Sequence, residues 1–211
     1  TVKREIRQIL GQISFFQSYH DVRFVAIFDE SEYEDWQWVK WLPHFQLPHM
    51  YARGFIYNEK TRDQLLSSIF ELLKERDLDE EKGKKRFSPH LVFIVTNQQL
   101  ISEHAILPYL ERGSQSDIGM TTIFAADRKE SLTENINTLV RYIDEKHGEI
   151  LIRNNKAEHI PFSLDPYYDN GNEKFARTLF SLNHELGMKH SIPEKVTFLE
   201  MFEIEEVYEL H

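Results

Sequence analysis

Gly83-Lys84 is the single Gly-Lys pair in the sequence, and therefore the place to look first for a phosphate-binding loop. Such a loop needs Gly-x-x-x-x-Gly-Lys-Ser/Thr between a strand and a helix, so that backbone amides and the lysine hold the phosphates. Here Lys85 follows the pair, Leu78 stands where the first glycine is needed, and the setting is a charged helix tail. A second requirement of nucleotide hydrolysis is a carboxylate at the end of a buried strand, to hold the magnesium shell and activate water. The apolar run Leu91–Val95 ends instead in Thr96-Asn97-Gln98. Amides hydrogen-bond, but they neither bring negative charge to a hard dication nor take a proton from water. Asp29 and Asp127 do end apolar runs, with Arg128 following the second, and each aspartate reads first as a solvated carboxylate or a cap on the next turn.

Other reactive side chains are scattered. His44 and His49 follow prolines in Leu42-Pro43-His44 and Leu47-Pro48-His49, but two histidines without a third ligand do not make a metal site. Ser14, Ser18 and His20 lack the Gly-x-Ser-x-Gly context of a nucleophile elbow. Trp36, Trp38 and Trp41 cluster with a single basic residue, Lys40, among them, which favours core or interface anchoring over base stacking. The residues thus assign no catalytic group and no metal ligand.

The elements that position these residues alternate in type. Ile6, Ile9, Ile13 and Phe16 recur at helical spacing within a helix over Thr1–Tyr19. Val22–Phe28 is a nearly continuous apolar run, as a parallel strand covered on both faces requires. Glu34–Trp41 reads as a short helix stopped by Pro43. Gly54–Tyr57 reads as a short strand, and Asn58 as the N-cap of a long helix over Lys60–Glu80 with Leu65, Ile69, Leu72 and Leu73 inward. Leu91–Val95 and Met120–Ala126 are two further buried strands, with a helix near Glu103–Glu111 between them. Leu132–Leu139 is helix or loop, and Arg141–Ile143 with Glu149–Ile152 reads as a hairpin about His147-Gly148. Asp165–Gly171 is a loop, a last helix covers about Glu173–Leu186, and Val196–Leu210 is an acidic tail. Strands alternating with helices imply an α/β fold, a mostly parallel sheet with helices on both faces.

Composition narrows the partners. The formal net charge is −10, from 35 acidic and 25 basic residues, and the densest basic run, Lys82–Arg86, directly follows the acidic run Asp77–Glu81. That balance argues against nucleic acid as a partner. Cysteine is absent, which excludes disulfides and thiolate metal sites. No apolar run reaches the roughly 18 residues that a membrane span requires.

Three stretches resemble one family. Val22–Asp29 followed by Asp35-Trp36-Gln37-Trp38-Val39-Lys40-Trp41-Leu42-Pro43-His44 is similar to a characteristic segment of type VII secretion coupling ATPases, the EssC/YukB-type relatives of the FtsK/SpoIIIE translocases. Pro89–Val95 resembles their Walker B strand, where active members carry Asp-Glu at the positions held here by Thr96 and Asn97. Gly119–Arg128 resembles a later strand that ends in a polar sensor-like residue and an arginine.

The resemblance implies a P-loop-NTPase-like (RecA/FtsK-like) fold and a degenerate first ATPase-like domain over residues 1–195, with 196–211 a connector to the next ATPase domain. It places Asp29, Thr96, Asn97, Asp127 and Arg128 at degenerate nucleotide-site positions, with Trp36, Trp38 and Trp41 at an interface. It implies no cofactor for this segment, ATP and magnesium belonging to other domains of the parent. The partners it implies are neighbouring ATPase domains, other membrane components of the secretion system and further copies in a hexamer. The location it implies is the cytoplasmic face of the bacterial cell membrane. The phosphate loop and its strand are expected ahead of Thr1.

Overall fold

The apolar stripes and runs become regular elements joined by short turns. A computed structural model describes residues 2–47, 52–113, 115–133, 135–153, 157–165 and 171–182. In chain order these hold α1 (Val2–Phe16), β1 (Val22–Ile27), α2 (Tyr33–Trp36), β2 (Phe55–Ile56), α3 (Glu59–Leu78), β3 (His90–Val95), α4 (Leu107–Leu110) and β4 (Met120–Phe124). The antiparallel strands β5 (Thr138–Tyr142), β6 (His147–Arg153) and β7 (Ala157–Ser163) follow, and then α5 (Asn172–Phe180). His49, most of the loop after Asp165, the end of the last expected helix, the boundary at 195 and the connector 196–211 lie outside the described residues.

β1 to β4 form one sheet in the order β2-β1-β3-β4, and every pairing in it is parallel. The runs centred on Val25, Phe93 and Ile123 are therefore adjacent parallel strands, in keeping with their largely apolar character. Strand pleating sends alternate side chains to opposite faces. Val25, Ile27, Leu91, Phe93 and Val95 pack with Leu65, Leu66, Ile69 and Leu73 of α3, in one core. Phe24, Ala26, Phe28, Val92 and Ile94 pack on the other side with Ile6 and Leu10 of α1, Trp36, and Ala176 of α5. Helices thus cover both faces.

Local chemistry fixes several boundaries. The Asn58 side chain accepts from Thr61 N–H at 3.0 Å while Thr61 Oγ1 accepts from Asn58 N–H at 3.1 Å, a reciprocal cap that starts α3. Gly54 lies against β1, where an added Cβ would overlap the Phe24 carbonyl oxygen. Only glycine lets the two backbones approach this closely.

Several elements differ from expectation. On α1 the buried stripe is Ile6 and Leu10 with Glu5 and Ser14, and Phe16, at the C-terminal end of the helix, is 75% exposed. The stretch 103–111 is helical only over Leu107–Leu110, where Pro108 fits a first turn but Ser102–Ile106 continues as turns. Residues 37–41 are a 3₁₀ turn continuing α2, which keeps Trp38 and Trp41 on one face at a spacing of three. The hairpin exists, but its first strand begins at Thr138, and β7 adds a third strand absent from the sequence reading.

Candidate functional site

The C-terminal ends of β1 and β3 are neighbours, since Ile27 pairs with Val95, and this register brings Asp29, Thr96 and Asn97 together. Thr96 N–H donates to the Ile27 carbonyl at 2.8 Å, fixing the residue as β3 leaves the sheet. Its hydroxyl donates to Glu32 Oε2 at 3.1 Å. Asn97 uses its amide oxygen as a cap, accepting from Gln99 N–H at 3.0 Å, and its Nδ2 reaches Asp29 Oδ2 at 3.4 Å. Asp29 in turn caps the 3₁₀ turn Glu30–Glu32, with Oδ1 accepting from Ser31 N–H at 2.9 Å and from Ser31 Oγ at 2.6 Å. Those bonds, the Ser31 hydroxyl foremost, hold the Asp29 carboxyl below the usual range.

Sequence reasoning missed Glu32. Its carboxylate bridges three elements: Thr96 after β3, Lys3 of α1 at 3.1 Å, and the Trp36 indole N–H at 3.5 Å. Lys3 also reaches Asp35 at 2.9 Å, and this bond is the main cause of a raised Lys3 and a lowered Asp35 pKa. The N-terminus of α1 therefore lies at the same sheet edge as Thr96. A glutamate in the acidic run Asp29–Glu34 carries no local signal for a partner 64 positions away.

Asp127 and Arg128 follow β4 and are exposed, and among the described residues no hydrogen bond or ion pair joins them to this group. Arg128 opens the 3₁₀ turn Lys129–Ser131, whose Ser131 carbonyl accepts from Gln98 Nε2 at 2.8 Å. The loop after β4 is thus tied to the loop after β3 through Gln98 instead. His44 is buried, with Nε2 2.9 Å from the Gln17 carbonyl. Among the described residues no three His, Asp or Glu side chains converge as a metal-holding group.

The tryptophans sit on the α1 side of the sheet. Trp36 is buried and stacks on Phe28 with centroids 5.0 Å apart and planes at 15°. Trp41 lies between residues of α5, with the Arg177 guanidinium 4.1 Å from its ring centroid and Phe180 edge-on at 5.5 Å. These contacts anchor α5 to the turn after α2.

No protein-family model matches the chain. It is 64% identical over 209 residues to the ESX secretion system protein EccC of Geobacillus thermodenitrificans, and 62% identical over 209 residues to the ESX secretion system protein YukB of Bacillus subtilis. Each match covers 99% of this chain but 14% of the relative, so the chain spans about one seventh of their length. Among solved structures, EssC (ATPases 2 and 3) from Geobacillus thermodenitrificans superposes with a TM-score of 0.59 over 88% of this chain and 42% of that one. At 14% identity that likeness speaks for the fold, an ATPase-type α/β fold. Similarity sustained along nearly the whole chain makes it a member, as one segment, of the type VII secretion EccC/YukB/EssC family.

Proposed function

We propose that this segment is a non-catalytic ATPase-like module of a type VII secretion protein, one that links a membrane anchor to ATPase domains and passes on their movement. The observation that carries this reading is the end of β3. Thr96 and Asn97 hold the positions where hydrolysis needs acids, and their polar atoms are engaged with Glu32, Gln99 and Asp29. Magnesium in nucleotide sites is held by carboxylates together with phosphate oxygens. Asn97 is neutral, and Asp29 Oδ1 already takes two bonds from Ser31, so the donors suit a structural tie better than a metal shell. On this reading the segment itself takes no cofactor, and ATP and magnesium serve other domains. Its partners are those ATPase domains, membrane components of the secretion system and further copies of the protein, at the cytoplasmic face of the membrane.

Glu32 favours a second reading, in which the segment binds or hydrolyses nucleotide. It brings a carboxylate to the end of β3 from elsewhere in the chain. Steady-state phosphate release by the purified chain with ATP and magnesium decides between them. The proposal expects release at the buffer rate. Turnover that disappears in both Glu32→Gln and Asp29→Asn would establish the second reading.

A further inference from the structure

The three residues that leave β3 send their side chains to three different places. Thr96 Oγ1 donates to Glu32 Oε2 at 3.1 Å, in the turn after β1. Asn97 Nδ2 reaches Asp29 Oδ2 at 3.4 Å, while its Oδ1 accepts from Gln99 N–H at 3.0 Å and so starts the turn Gln98–Ile101. Gln98 Nε2 donates to the Ser131 carbonyl at 2.8 Å, in the turn after β4. Beyond Glu32 the line continues to Lys3, 3.1 Å away in the first turn of α1. One line of polar contacts therefore follows the C-terminal edge of the parallel sheet, from α1 past β1 and β3 to the turn after β4. Its base is stiff. Thr96 N–H donates to Ile27 O at 2.8 Å and Ala125 N–H to Val95 O at 2.9 Å, and Leu91–Val95 is buried. Threonine is β-branched, so its hydroxyl has few positions open to it once the backbone is fixed. The Asn97 cap then orients the turn that carries Gln98. Among the described residues no other hydrogen bond or ion pair joins the turn Lys129–Ser131 to α1 or to the turn after β1.

We propose that Thr96, Asn97 and Gln98 form a relay that carries a displacement of the first turn of α1 to the turn Lys129–Ser131. Coupling of this kind travels through contiguous bonded groups that have two arrangements. The two arrangements here are Gln98 bonded to Ser131 and Gln98 released. A partner that drew the Lys3 ammonium away would let Glu32 turn from Thr96, and the hold on the turn carrying Gln98 would loosen with it. Ser131 N–H donates to Arg128 O at 3.1 Å, so Asp127 and Arg128 respond to Lys3 through their own backbone. The use of the relay rests on reading the segment as a module that passes on movement, whereas the linkage itself requires no nucleotide.

The test is the amide NMR spectrum of the nucleotide-free 211-residue chain, followed at Gln98 Nε2 and at the Ser131 and Leu132 amides. Lys3→Met, at a side chain 50% exposed, removes the ammonium without opening the core. It is expected to shift all three signals while those of the buried Val25 and Phe93 stay in place. In a Thr96→Val or a Gln98→Ala background the shift at Ser131 and Leu132 should shrink at least about threefold, and in Thr96→Ser, which keeps the hydroxyl, it should persist. Unmoved Ser131 and Leu132 signals in Lys3→Met, or shifts of equal size in the Gln98→Ala background, would overturn the proposal. Turnover of ATP would overturn the non-catalytic reading and leave these shifts as they are.

Discussion

The Thr96 hydroxyl and the Glu32 carboxylate, 64 positions apart, meet at 3.1 Å and tie the loop after β3 to the turn after β1. A hydrogen bond of this kind contributes about 1 kcal/mol net, more where the acceptor is charged. Thr96→Val keeps the shape and removes the donor. It is expected to lower stability by about 1–2 kcal/mol. Urea denaturation followed by circular dichroism checks this, and a Glu32→Gln, Thr96→Val double variant should lose less than the sum of the two singles.

Trp36 and Trp41 should differ in cost although they are five residues apart. Trp36 is buried against Phe28, so Trp36→Ala leaves a cavity and is expected to cost about 3–5 kcal/mol. Trp41 is half-buried under Arg177, and its loss removes a cation–π contact and part of a packed surface, about 1–2 kcal/mol. Thermal unfolding of the two single variants ranks them, and the reverse order would refute this account of the cluster.

Acid should weaken the fold in two windows. Burial, aided by the nearby Arg76 charge, holds the His90 imidazole below its ordinary 6.5, so the unfolded chain takes up that proton first. Stability present above 6.5 is therefore lost as pH falls through the lower folded value. Asp77, bonded to Arg112 at 2.7 Å and Lys82 at 2.9 Å, is held below 3.8 and adds a second loss at more acid pH. His90→Gln should flatten the first window and Asp77→Asn the second, read from urea midpoints at about pH 7.5, 5.5 and 3.5.

How much of this was legible in the sequence depended on the range of the interactions. β1 and β3 show as apolar runs because both their faces are covered, β4 shows by its apolar residues Met120, Ile123 and Phe124, and α3 shows because its cap is local, Asn58 with Thr61. β7 was missed because Glu158, His159 and Pro161 blur its alternation, and it is held as a strand only by its register with β6. The helix expected over 103–111 gave way to turns because Ile101, Ile106 and Leu110 reach the core at irregular spacing. Asp29, Thr96 and Asn97 were read from the strand ends where they sit. Glu32 escaped because its partners, Thr96 and Lys3, come from distant parts of the chain.

Duplex DNA should not bind. Lys82 and Lys85 of the basic run are paired with Asp77 and Asp79, and the whole chain carries a net charge of −10. A phosphate backbone would have to compete with those pairs in a field of the wrong sign. A gel-shift titration at about 0.15 M salt, where charges are screened within about 8 Å, is expected to show no complex. Micromolar binding that is lost when Lys82, Lys84, Lys85 and Arg86 are replaced would contradict this.

The two cores are also optically unequal. All three tryptophans of the chain belong to the side of the sheet covered by α1 and α5, and the side covered by α3 has none. Intrinsic emission therefore reports on one half of the molecule and is blind to the other. The 20 residues of α3 contribute to far-ultraviolet ellipticity instead. Since ellipticity also includes α1 and α5, recording both signals in a single melt compares the tryptophan-bearing side with the secondary structure of both sides together. Coincident curves mean that the parallel sheet couples its two faces into one cooperative unit, and separated curves show whether the tryptophan-bearing face lets go first.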